Sequence, residues 1–473
     1  MADPGTRPNA RRSAGLAPAL CTAALLCLAP APGPVLAADL VAGPMAGHRD
    51  ARSTLIWLQA DGPASARIEY WPEGGGRRKA TAAVRLEAGA QFAAQIAVDG
   101  LAPGTTYQYR VLLDAREARL PQTPAFRTEG LWQWRNHSYN PALGHQPRDF
   151  RVAFGSCAYV NDPPFDRSIR PGGPYGGGYG IFDRIAQARP DLMLWLGDNT
   201  YLREADYGSP GAIAARYRRD RAHPSLQALL RTGHHYAIWD DHDFGPNDAN
   251  ASFTYKAEAL EVFRRYWPNG AGGMPGTPGI FRVVSHYDVD FFLLDTRFHR
   301  DADAAQGLEH KSMLGAAQLR WLKNALIAST ANFRVIVAGG QMLKTVPAKV
   351  EGWSHFAEER RAFLEWLADN RVPGVLFLSG DRHHTVLTRL PREDAYPLFD
   401  FTCSPLTAGA HAPRAAEDMA LAEPGTLVAR RNFCTIDVGG PWGERTLTLR
   451  AHDGDGHELW KRELGARELR YVR

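Results

Sequence analysis

With 473 residues, the chain is long enough for more than one domain, because a single hydrophobic core rarely grows beyond about 250–300 residues. Its 44% hydrophobic and 22% charged residues are ordinary for a globular protein and argue against long disordered tracts. The net charge of +4 forms no basic stripe, and no apolar run after the N-terminus approaches the ~18 residues of a membrane span. Neither nucleic-acid binding nor a transmembrane segment is indicated.

The N-terminus has the pattern of a secretory signal peptide. Arg11-Arg12 precede a mostly apolar stretch from Ala14 to Leu28, and a small-x-small cleavage site ends at Ala37. We therefore expect residues 1–37 to be removed and the protein to be exported to the periplasm or the extracellular space. The arginine pair is compatible with the twin-arginine route, but an ordinary Sec signal explains it equally well.

Three cysteines remain after that segment, which is an odd number for an oxidising compartment. Cys403 and Cys434 lie on neighbouring strand-like segments, where a disulfide and two buried thiols are equally good interpretations. Cys157 is then left over and lies close to other polar residues.

The pattern of residues 38–130 predicts a small β-sandwich. Short strand-like segments alternate with Gly and Pro turns: Thr54–Leu58, Ala66–Trp71, Gln91–Ile96 and Thr106–Val111. The segment Leu101–Tyr107 resembles the tyrosine corner of fibronectin type III domains, in which a tyrosine hydroxyl binds upstream backbone. We assign no chemistry to this domain. A Trp- and Asn-rich linker follows it at residues 131–149.

From residue 150 to 473 the pattern changes to apolar runs that alternate with helical stretches, which predicts a layered α/β catalytic domain. The predicted strands are Phe150–Phe154, Asp191–Leu196, Tyr236–Trp239, Val289–Leu294, Arg334–Val337 and Val375–Leu378. The predicted helices are Ile181–Ala188, Ala257–Trp267, Ala316–Ala328 and Ala357–Asp369. β segments return near the C-terminus and are expected to complete the sheet edge or a second sheet.

Polar clusters follow five of the predicted strands, where each strand ends. They are Gly155 to Cys157, Gly197 to Tyr201, Asp240 to Asp243, Ala338 to Gln341 and Ser379 to His384. Ligands of α/β sheets bind outside the carboxyl ends of the strands, so these clusters converge on one rim. Each cluster alone has an ordinary explanation, such as a turn at Asp198 or a core thiol at Cys157. Together, carboxylates, imidazoles and one thiol are most economically explained by metal ions.

Several segments match one known family in order. They are Phe154–Cys157, Leu196–Tyr201, Trp239–Asp248, Leu294–Arg297, Leu314–Leu322 and Gly380–His383. With these segments the chain resembles the alkaline phosphatase D (PhoD-like) family of secreted metallophosphoesterases, over nearly the whole length after the signal. The resemblance implies a metallophosphoesterase-like α/β domain behind the sandwich, and hydrolysis of phosphate esters.

The resemblance also implies a mixed centre of ferric iron (Fe3+) and calcium (Ca2+). It implies that Cys157 and Tyr201 are iron ligands and that Asp198 is a carboxylate bridging metals. Asp381 and His383 complete the cluster, and Asp241 and Asn247 serve the second metal position. Thiolate and phenolate suit Fe3+, while carboxylates and amides suit Ca2+. Gln341 departs from the wider class, which commonly has a histidine there; we expect it behind the ligands or on the calcium side.

We expect direct hydrolysis, in which metal ions polarise the phosphoryl oxygens. His242 is the candidate that protonates the leaving oxygen, a step typically worth about 10²–10⁴-fold. Arg203 and Arg297 are candidates for steadying the non-bridging oxygens. The substrate is expected to be a small-molecule or polymer phosphate ester; the sequence leaves open monoester or diester preference and oligomeric state.

Three alternatives stay open. The same metal chemistry supports a phospholipase or a phosphodiesterase acting on teichoic-type diesters. A module that binds a surface polymer with an inactive α/β domain is disfavoured, because the ligand set is intact. A thiol enzyme using Cys157 lacks an adjacent histidine or a Cys-x-x-Cys partner.

Overall fold

The structure, a computed structural model, describes residues 37–131, 147–163, 166, 174–345, 350–414, 417 and 419–471. The predicted signal peptide, apart from its last residue, and most of the predicted linker lie outside the described residues. Among the residues that are described, no helix is both long enough and apolar enough to cross a bilayer.

The N-terminal part consists of two small antiparallel sheets. Its strands are β1 (Leu40–Arg49), β2 (Ser53–Ala60), β3 (Ala64–Pro72), β4 (Lys79–Ala80), β5 (Val84–Leu86), β6 (Ala93–Asp99), β7 (Thr106–Leu113), β8 (Arg116–Glu117) and β9 (Ala125–Arg127). One sheet has the order β1-β2-β6 and the other β4-β3-β7-β8, with β5 against β3 and β9 against β7. Alternate residues of β3 and β7 point into a shared core, as expected for sheets with one buried face.

The backbone N–H of Ala102 donates a hydrogen bond of 2.9 Å to the hydroxyl of Tyr107. This is the bond to upstream backbone that the tyrosine-corner segment predicts. The fibronectin type III likeness of the domain stays a prediction.

The sandwich also packs against the rest of the chain, since Met45 and Trp57 belong to the same hydrophobic cluster as the α/β core. At this contact His286 Nδ1 lies 2.7 Å from a carboxylate oxygen of Glu129, and Arg49 lies 3.5 Å from the same carboxylate. Residues 38–473 accordingly form one compact unit.

Two mixed sheets make up the α/β part. Its strands are β10 (Phe150–Gly155), β11 (Leu192–Leu196), β12 (His234–Ile238), β13 (Arg282–His286), β14 (Val289–Leu293), β15 (Phe333–Val337), β16 (Val375–Ser379), β17 (Val386–Arg392), β18 (Ala395–Thr402), β19 (Asn432–Gly439), β20 (Thr446–Asp453) and β21 (Glu458–Gly465). Sheet I has the order β12-β11-β10-β19-β20-β21, and sheet II has the order β13-β14-β15-β16-β18-β17. Neighbouring strands are parallel among β10, β11 and β12 of sheet I and among β14, β15, β16 and β18 of sheet II. The remaining pairs are antiparallel. The returning C-terminal strands thus complete the edge of sheet I.

Helices connect these strands. They are α1 (Ile181–Gln187), α2 (Pro210–Arg221), α3 (Gln227–Leu230), α4 (Asp241–Phe244), α5 (Lys256–Tyr266), α6 (Ala316–Ala328) and α7 (Ala357–Asp369), with short 3₁₀ turns at Ala88–Ala90, Pro224–Leu226, Trp353–Phe356 and Trp442–Glu444. Four of the helices were predicted from the sequence, whereas α2, α3 and α4 were not. Ser209 is the N-cap residue of α2, and its side chain accepts a hydrogen bond from the N–H of Ala212; Pro210 is the first residue of the helix.

The central strands β11, β15 and β16 are buried along their whole length, which explains their continuous apolar sequence. The two sheets contact each other through Phe154 and Phe401, whose rings meet edge to face at 5.0 Å. A disulfide between Cys403, directly after β18, and Cys434 in β19 also joins the sheets. Of the two interpretations left open by the sequence, the structure therefore contains the disulfide.

Candidate metal centre

Four candidate ligands take a backbone conformation that is rare for residues other than glycine. The φ angles are 62° at Cys157, 52° at Asp198, 66° at Asp381 and 54° at His383. A left-handed conformation costs about 1–3 kcal/mol at such residues and tends to occur at functional sites. Each of these residues follows a strand of sheet I or sheet II, so the sharp turns bring the side chains together beyond the strand ends.

Two glycines in the Gly-Asp motifs make this close approach possible. A Cβ atom at Gly197 would lie 2.7 Å from the Cβ of Asp240, and one at Gly380 would lie 2.6 Å from the Cβ of Ser156. Any larger side chain at either position would push the strand ends apart. The glycine that precedes each aspartate is therefore required by packing.

Thiol, carboxylate, imidazole and phenol groups meet in a first cluster. The ligand atoms of Cys157, Asp198 and His383 all lie within 4.8 Å of one another, and the Sγ of Cys157 is 3.7 Å from a carboxylate oxygen of Asp198. The hydroxyl of Tyr201 lies 3.3 Å from the Nε2 of His383. Cys157 and Tyr201 are fully buried behind the other two.

Hydrogen bonds from the 404–409 segment hold this cluster. The hydroxyl of Ser404 donates to the Sγ of Cys157 at 3.2 Å and accepts the backbone N–H of His383 at 2.9 Å. The Nδ1 of His383 lies 2.6 Å from the carbonyl oxygen of Gly409. That carbonyl is a pure acceptor, so Nδ1 carries the proton and Nε2 presents its lone pair, as in a metal-ligating histidine.

Asp198 also belongs to a second cluster, with Asp241 and His242. One carboxylate oxygen of Asp198 accepts the backbone N–H of His242 at 3.4 Å, and Asp241 accepts the N–H of Asp248 at 2.8 Å. Asn247 lines a cavity together with these three residues. The carboxylate of Asp198 thus lies between two groups of potential ligands.

The other two acids of the 240–243 run, Asp240 and Asp243, already have hydrogen-bond or ion-pair partners in the protein. Asp243 lies in α4 and forms a capping box with the N-cap residue Asp240. Its carboxylate accepts the backbone N–H groups of Asp240, Asn199 and Thr200 at 3.0–3.1 Å. Burial raises the pKa of Asp243 to about 7. Asp243 therefore has a structural role, and its side chain does not line the cavity.

Arg297 neutralises the acids on the other side of the run. Its Nε donates to Asp240 at 2.6 Å, and its terminal nitrogens donate to Glu351 at 2.5 and 2.7 Å. Burial opposes the ionisation of Asp241, but His242 and then Arg297 hold the pKa of that carboxyl below its usual range. Asp241 is consequently the acid of the run that remains ionised and faces the cavity.

The electrostatics of the first cluster call for positive charge. Burial raises the pKa of the Cys157 thiol well above its usual range, and the carboxylates of Asp198 and Asp381 add to the shift. Burial, followed by repulsion from Asp241 and its neighbours, likewise raises the pKa of Asp198 well above its usual range. Cations between these groups would stabilise their ionised forms, so the donor set fits bound metal ions.

A cavity of about 220 Å³ opens onto these residues. It is lined by six of the predicted site residues, Asp198, Asp241, His242, Asn247, Asp381 and His383, and also by Tyr175, Asp248, Val350, Glu351, Arg382, Gly409, His411 and Arg414. Asp381 forms an ion pair of 3.1 Å with Arg382 and belongs to none of the ligand clusters found among the described residues.

The two predicted phosphate-binding arginines do not line this cavity. Arg203 is buried with its guanidinium 4.3 Å from the ring of Tyr159, and it donates to the carbonyl of Val160 at 2.6 Å. Arg297 is enclosed by Asp240 and Glu351, as described above. Both guanidinium groups therefore support the walls of the site from behind.

Other features of the cavity were not singled out from the sequence. Glu351 and Arg414 follow no strand, so the strand-end pattern cannot find them. Asp248 is the last residue of the matched segment Trp239–Asp248, so that match could have identified it as a site residue. Gln341 donates a hydrogen bond of 2.9 Å to Thr402 and lines a separate small cavity.

Comparison with known proteins gives two family matches. A family described as PhoD-like phosphatase matches residues 152–435, and a domain of unknown function matches residues 37–130. Alkaline phosphatase D of Bacillus subtilis (strain 168) is 22% identical over 340 residues, which is 61% of this chain and 52% of that protein. The match thus spans about half the length of that relative.

Two solved structures share the fold. A structure of PhoD is 17% identical with a TM-score of 0.67, over 89% of this chain and 91% of that chain. Purple acid phosphatase PPD1 from seeds of yellow lupin (Lupinus luteus) is 12% identical with a TM-score of 0.62, over 90% of this chain and 75% of that chain. The predicted metallophosphoesterase-like α/β fold, with mixed sheets, is confirmed.

Proposed function

Because the chain belongs to the PhoD-like phosphatase family, we propose that it is an exported, metal-dependent hydrolase of phosphate esters. The observation that carries this proposal is the position of Asp198, whose carboxylate belongs both to the cluster with Cys157 and His383 and to the cluster with Asp241 and His242. One carboxylate shared by two ligand groups suits a pair of adjacent cations.

Fe3+ and Ca2+ are the cations that the donor sets favour. Cys157, Tyr201 and His383 would hold Fe3+, since thiolate, phenolate and imidazole suit that ion. Asp241 and Asn247 would hold Ca2+, which prefers carboxylate and amide oxygens. Asp198 would bind both cations, and Asp381, which lines the same cavity, would complete the set of ligands. Cations in these positions supply Lewis acidity for the phosphoryl oxygens.

His242 is the proposed general acid. Its ring lies 4.4 Å from the ring of Tyr201, and its Nε2 lies 3.9 Å from a carboxylate oxygen of Asp241. The side chain lines the cavity, so an ester oxygen held there can receive its proton. Asp241 stabilises the imidazolium form before transfer.

Cys157 itself is not placed as a nucleophile. The side chain is fully buried, and burial raises the pKa of its thiol. Nucleophilic cysteines have the opposite properties, a lowered pKa and partial exposure. These observations favour the ligand role over a thiol enzyme.

Export is supported by the disulfide between Cys403 and Cys434, because such bonds persist in oxidising compartments. The predicted signal at residues 1–37 agrees with this, although it lies outside the described residues apart from Ala37. A periplasmic or extracellular location follows, by either the Sec or the twin-arginine route.

Hydrolysis of p-nitrophenyl phosphate tests the proposal, with metal content measured on the same samples. We expect the wild type to hydrolyse the ester and to contain iron. Asp198→Asn should lose both, because it weakens both cation positions. The matched control is Asp369→Asn, at an exposed aspartate that ends α7, and it should match the wild type. Full activity of Asp198→Asn without bound metal would contradict the proposal.

A further inference from the structure

One arginine outside the metal cavity has backbone carbonyl groups as partners instead of a carboxylate. Arg431 directly precedes β19 and is half-buried. Among the residues that the structure describes, no carboxylate forms an ion pair with its guanidinium. Burying a charged side chain is costly unless it is hydrogen-bonded. The groups that accept its hydrogen bonds therefore indicate what this arginine does.

Arg431 joins two segments of the chain that border the metal centre. Its Nε donates to the carbonyl oxygen of Thr407 at 3.0 Å and to that of Ala408 at 3.1 Å. One of its terminal nitrogens donates to the carbonyl oxygen of Tyr175 at 3.2 Å. Tyr175 belongs to the glycine-rich loop, residues 174–180. A guanidinium carries five N–H donors in a fixed fork, so it can bind both segments at once.

Two glycines of the glycine-rich loop allow the close approach of Arg431. A Cβ atom at Gly177 would lie 3.2 Å from a terminal nitrogen of Arg431, and one at Gly178 would lie 3.0 Å from its Cδ. Gly178 also has a φ of 65°, which glycine adopts without a steric penalty. The backbone N–H of Gly177 donates to the carbonyl oxygen of Thr407 at 2.9 Å, so the loop also contacts the second segment directly.

The second segment, residues 407–409, binds two of the candidate ligands. The backbone N–H groups of Thr407 and Ala408 donate to the carbonyl oxygen of Cys157 at 3.2 and 3.1 Å. The carbonyl oxygen of Gly409 accepts the Nδ1 proton of His383 at 2.6 Å. The partner of this ring nitrogen sets the tautomer and the orientation of a ligating imidazole. The position of Gly409 therefore determines how the ring of His383 is oriented.

The glycine-rich loop contacts the same histidine. The hydroxyl of Tyr175 lies 3.4 Å from the Nδ1 of His383, and Tyr175 lines the cavity. A Cβ atom at Gly409 would lie 3.4 Å from the ring of Tyr175, so the two segments also pack against each other. Both segments thus contact the imidazole of His383, and Arg431 donates hydrogen bonds to both segments.

From these contacts we infer that Arg431 is a positioning residue of the metal centre, which fixes the orientation of the His383 imidazole by joining the glycine-rich loop to residues 407–409. Arg431 does not line the cavity, so it acts through the backbone of these two segments. The inference rests on the proposed function, because the residue that it positions is a ligand of the proposed metal centre.

Iron affinity and the visible absorption band test this inference, with Fe3+ as the probe. Arg431→Ala removes the hydrogen bonds to both segments. Iron affinity, measured by competition with a chelator, should therefore fall about tenfold, the lower end for an outer partner of a metal ligand, and the band should shift. Arg431→Lys keeps the charge but lacks the fork, so its values should be intermediate. The matched control is Arg430→Ala, at the exposed neighbouring arginine, which should match the wild type.

Hydrogen–deuterium exchange of the metal-free protein, measured by mass spectrometry, provides a second measurement that needs neither metal nor turnover. Arg431→Ala should accelerate exchange in peptides that contain Gly177 and in peptides that contain Thr407 and Ala408, and it should leave α6 unchanged. Unchanged exchange in both segments would overturn the inference.

A merely structural role for Arg431 would give a different result. The variant would unfold more easily, but its iron affinity and absorption band would equal those of the wild type, and that outcome would also overturn the inference. A wild-type protein that binds no iron and hydrolyses no phosphate ester would instead contradict the proposed function.

Discussion

Removing the disulfide should both destabilise the protein and weaken metal binding at the candidate metal centre. Cys403 and Cys434 are 31 residues apart in sequence and join sheet II to sheet I. Replacing both by alanine restores the chain entropy of the unfolded state, which for a loop of this length is worth about 3.7 kcal/mol. Ser404, which follows Cys403 directly, contacts both Cys157 and His383. The variant should therefore also lose bound metal more readily.

Urea unfolding, followed by tryptophan fluorescence in metal-free protein lacking residues 1–37, measures the first effect. The double variant should unfold at a clearly lower urea concentration than the wild type. A reductant should shift the wild type toward the variant and leave the variant unchanged, which is the internal control. Thiol titration in denaturant should find one free thiol in the wild type, Cys157. Three free thiols would show that the disulfide does not form, and equal unfolding midpoints would show that it does not stabilise the fold.

Three further predictions concern the centre itself. His242→Ala should lower turnover by about 10²–10⁴-fold while bound iron stays, as measured by elemental analysis; loss of iron would make it a ligand instead. Ser404→Ala removes the hydrogen-bond donor to the Cys157 sulfur and the acceptor of the His383 N–H. Metal affinity should therefore fall about 10–100-fold, and the visible absorption band of the thiolate should shift. An unchanged spectrum would contradict this prediction. Metal removal should lower the midpoint of thermal unfolding, because cations at about 1,000 times their Kd stabilise the folded state by about 4 kcal/mol; identical midpoints would exclude a tight site.

The strand ends that build the site could be predicted from the sequence because each follows a short, continuous apolar run. β16 is the predicted strand Val375–Leu378 extended by Ser379, and the predicted helix Ala316–Ala328 has the observed bounds of α6. Parallel strands place their carboxyl ends at the same edge of a sheet, which predicts that each Gly-Asp motif lies at such an edge. Asp198 follows β11 of sheet I and Asp381 follows β16 of sheet II, so the packing of the two sheets, which the sequence does not show, also brings them beside one cavity.

The separate roles within the 240–243 run could not be predicted, because they depend on partners remote in sequence. Asp240 is neutralised by Arg297, 57 residues away, and Glu351 lies a further 54 residues along the chain. The sequence shows that Arg297 is charged and follows a strand, which is why it was interpreted as a phosphate ligand. Only the folded chain shows that its guanidinium is enclosed by carboxylates.

The helix α2 was missed for a local reason. Its second half carries the charged residues Arg216 to Arg221, of which Arg216, Asp220 and Arg221 are buried. Arg216 is buried because it pairs with Asp206 at 2.8 Å and with Asp162 at 2.8 Å. Buried ion pairs obscure the apolar period on which helix prediction relies. The Ser209-Pro210 start was the available signal.

Elemental analysis combined with visible absorption, on wild-type protein purified without added metal, determines whether the protein holds an Fe3+ and Ca2+ centre. Stoichiometric iron together with calcium is expected, and a visible absorption band that weakens and shifts in Cys157→Ser, because the thiolate ligand is lost while the Tyr201 phenolate remains. A colourless wild-type protein that contains no bound metal and still hydrolyses p-nitrophenyl phosphate in the presence of a chelator would exclude a metal-dependent hydrolase.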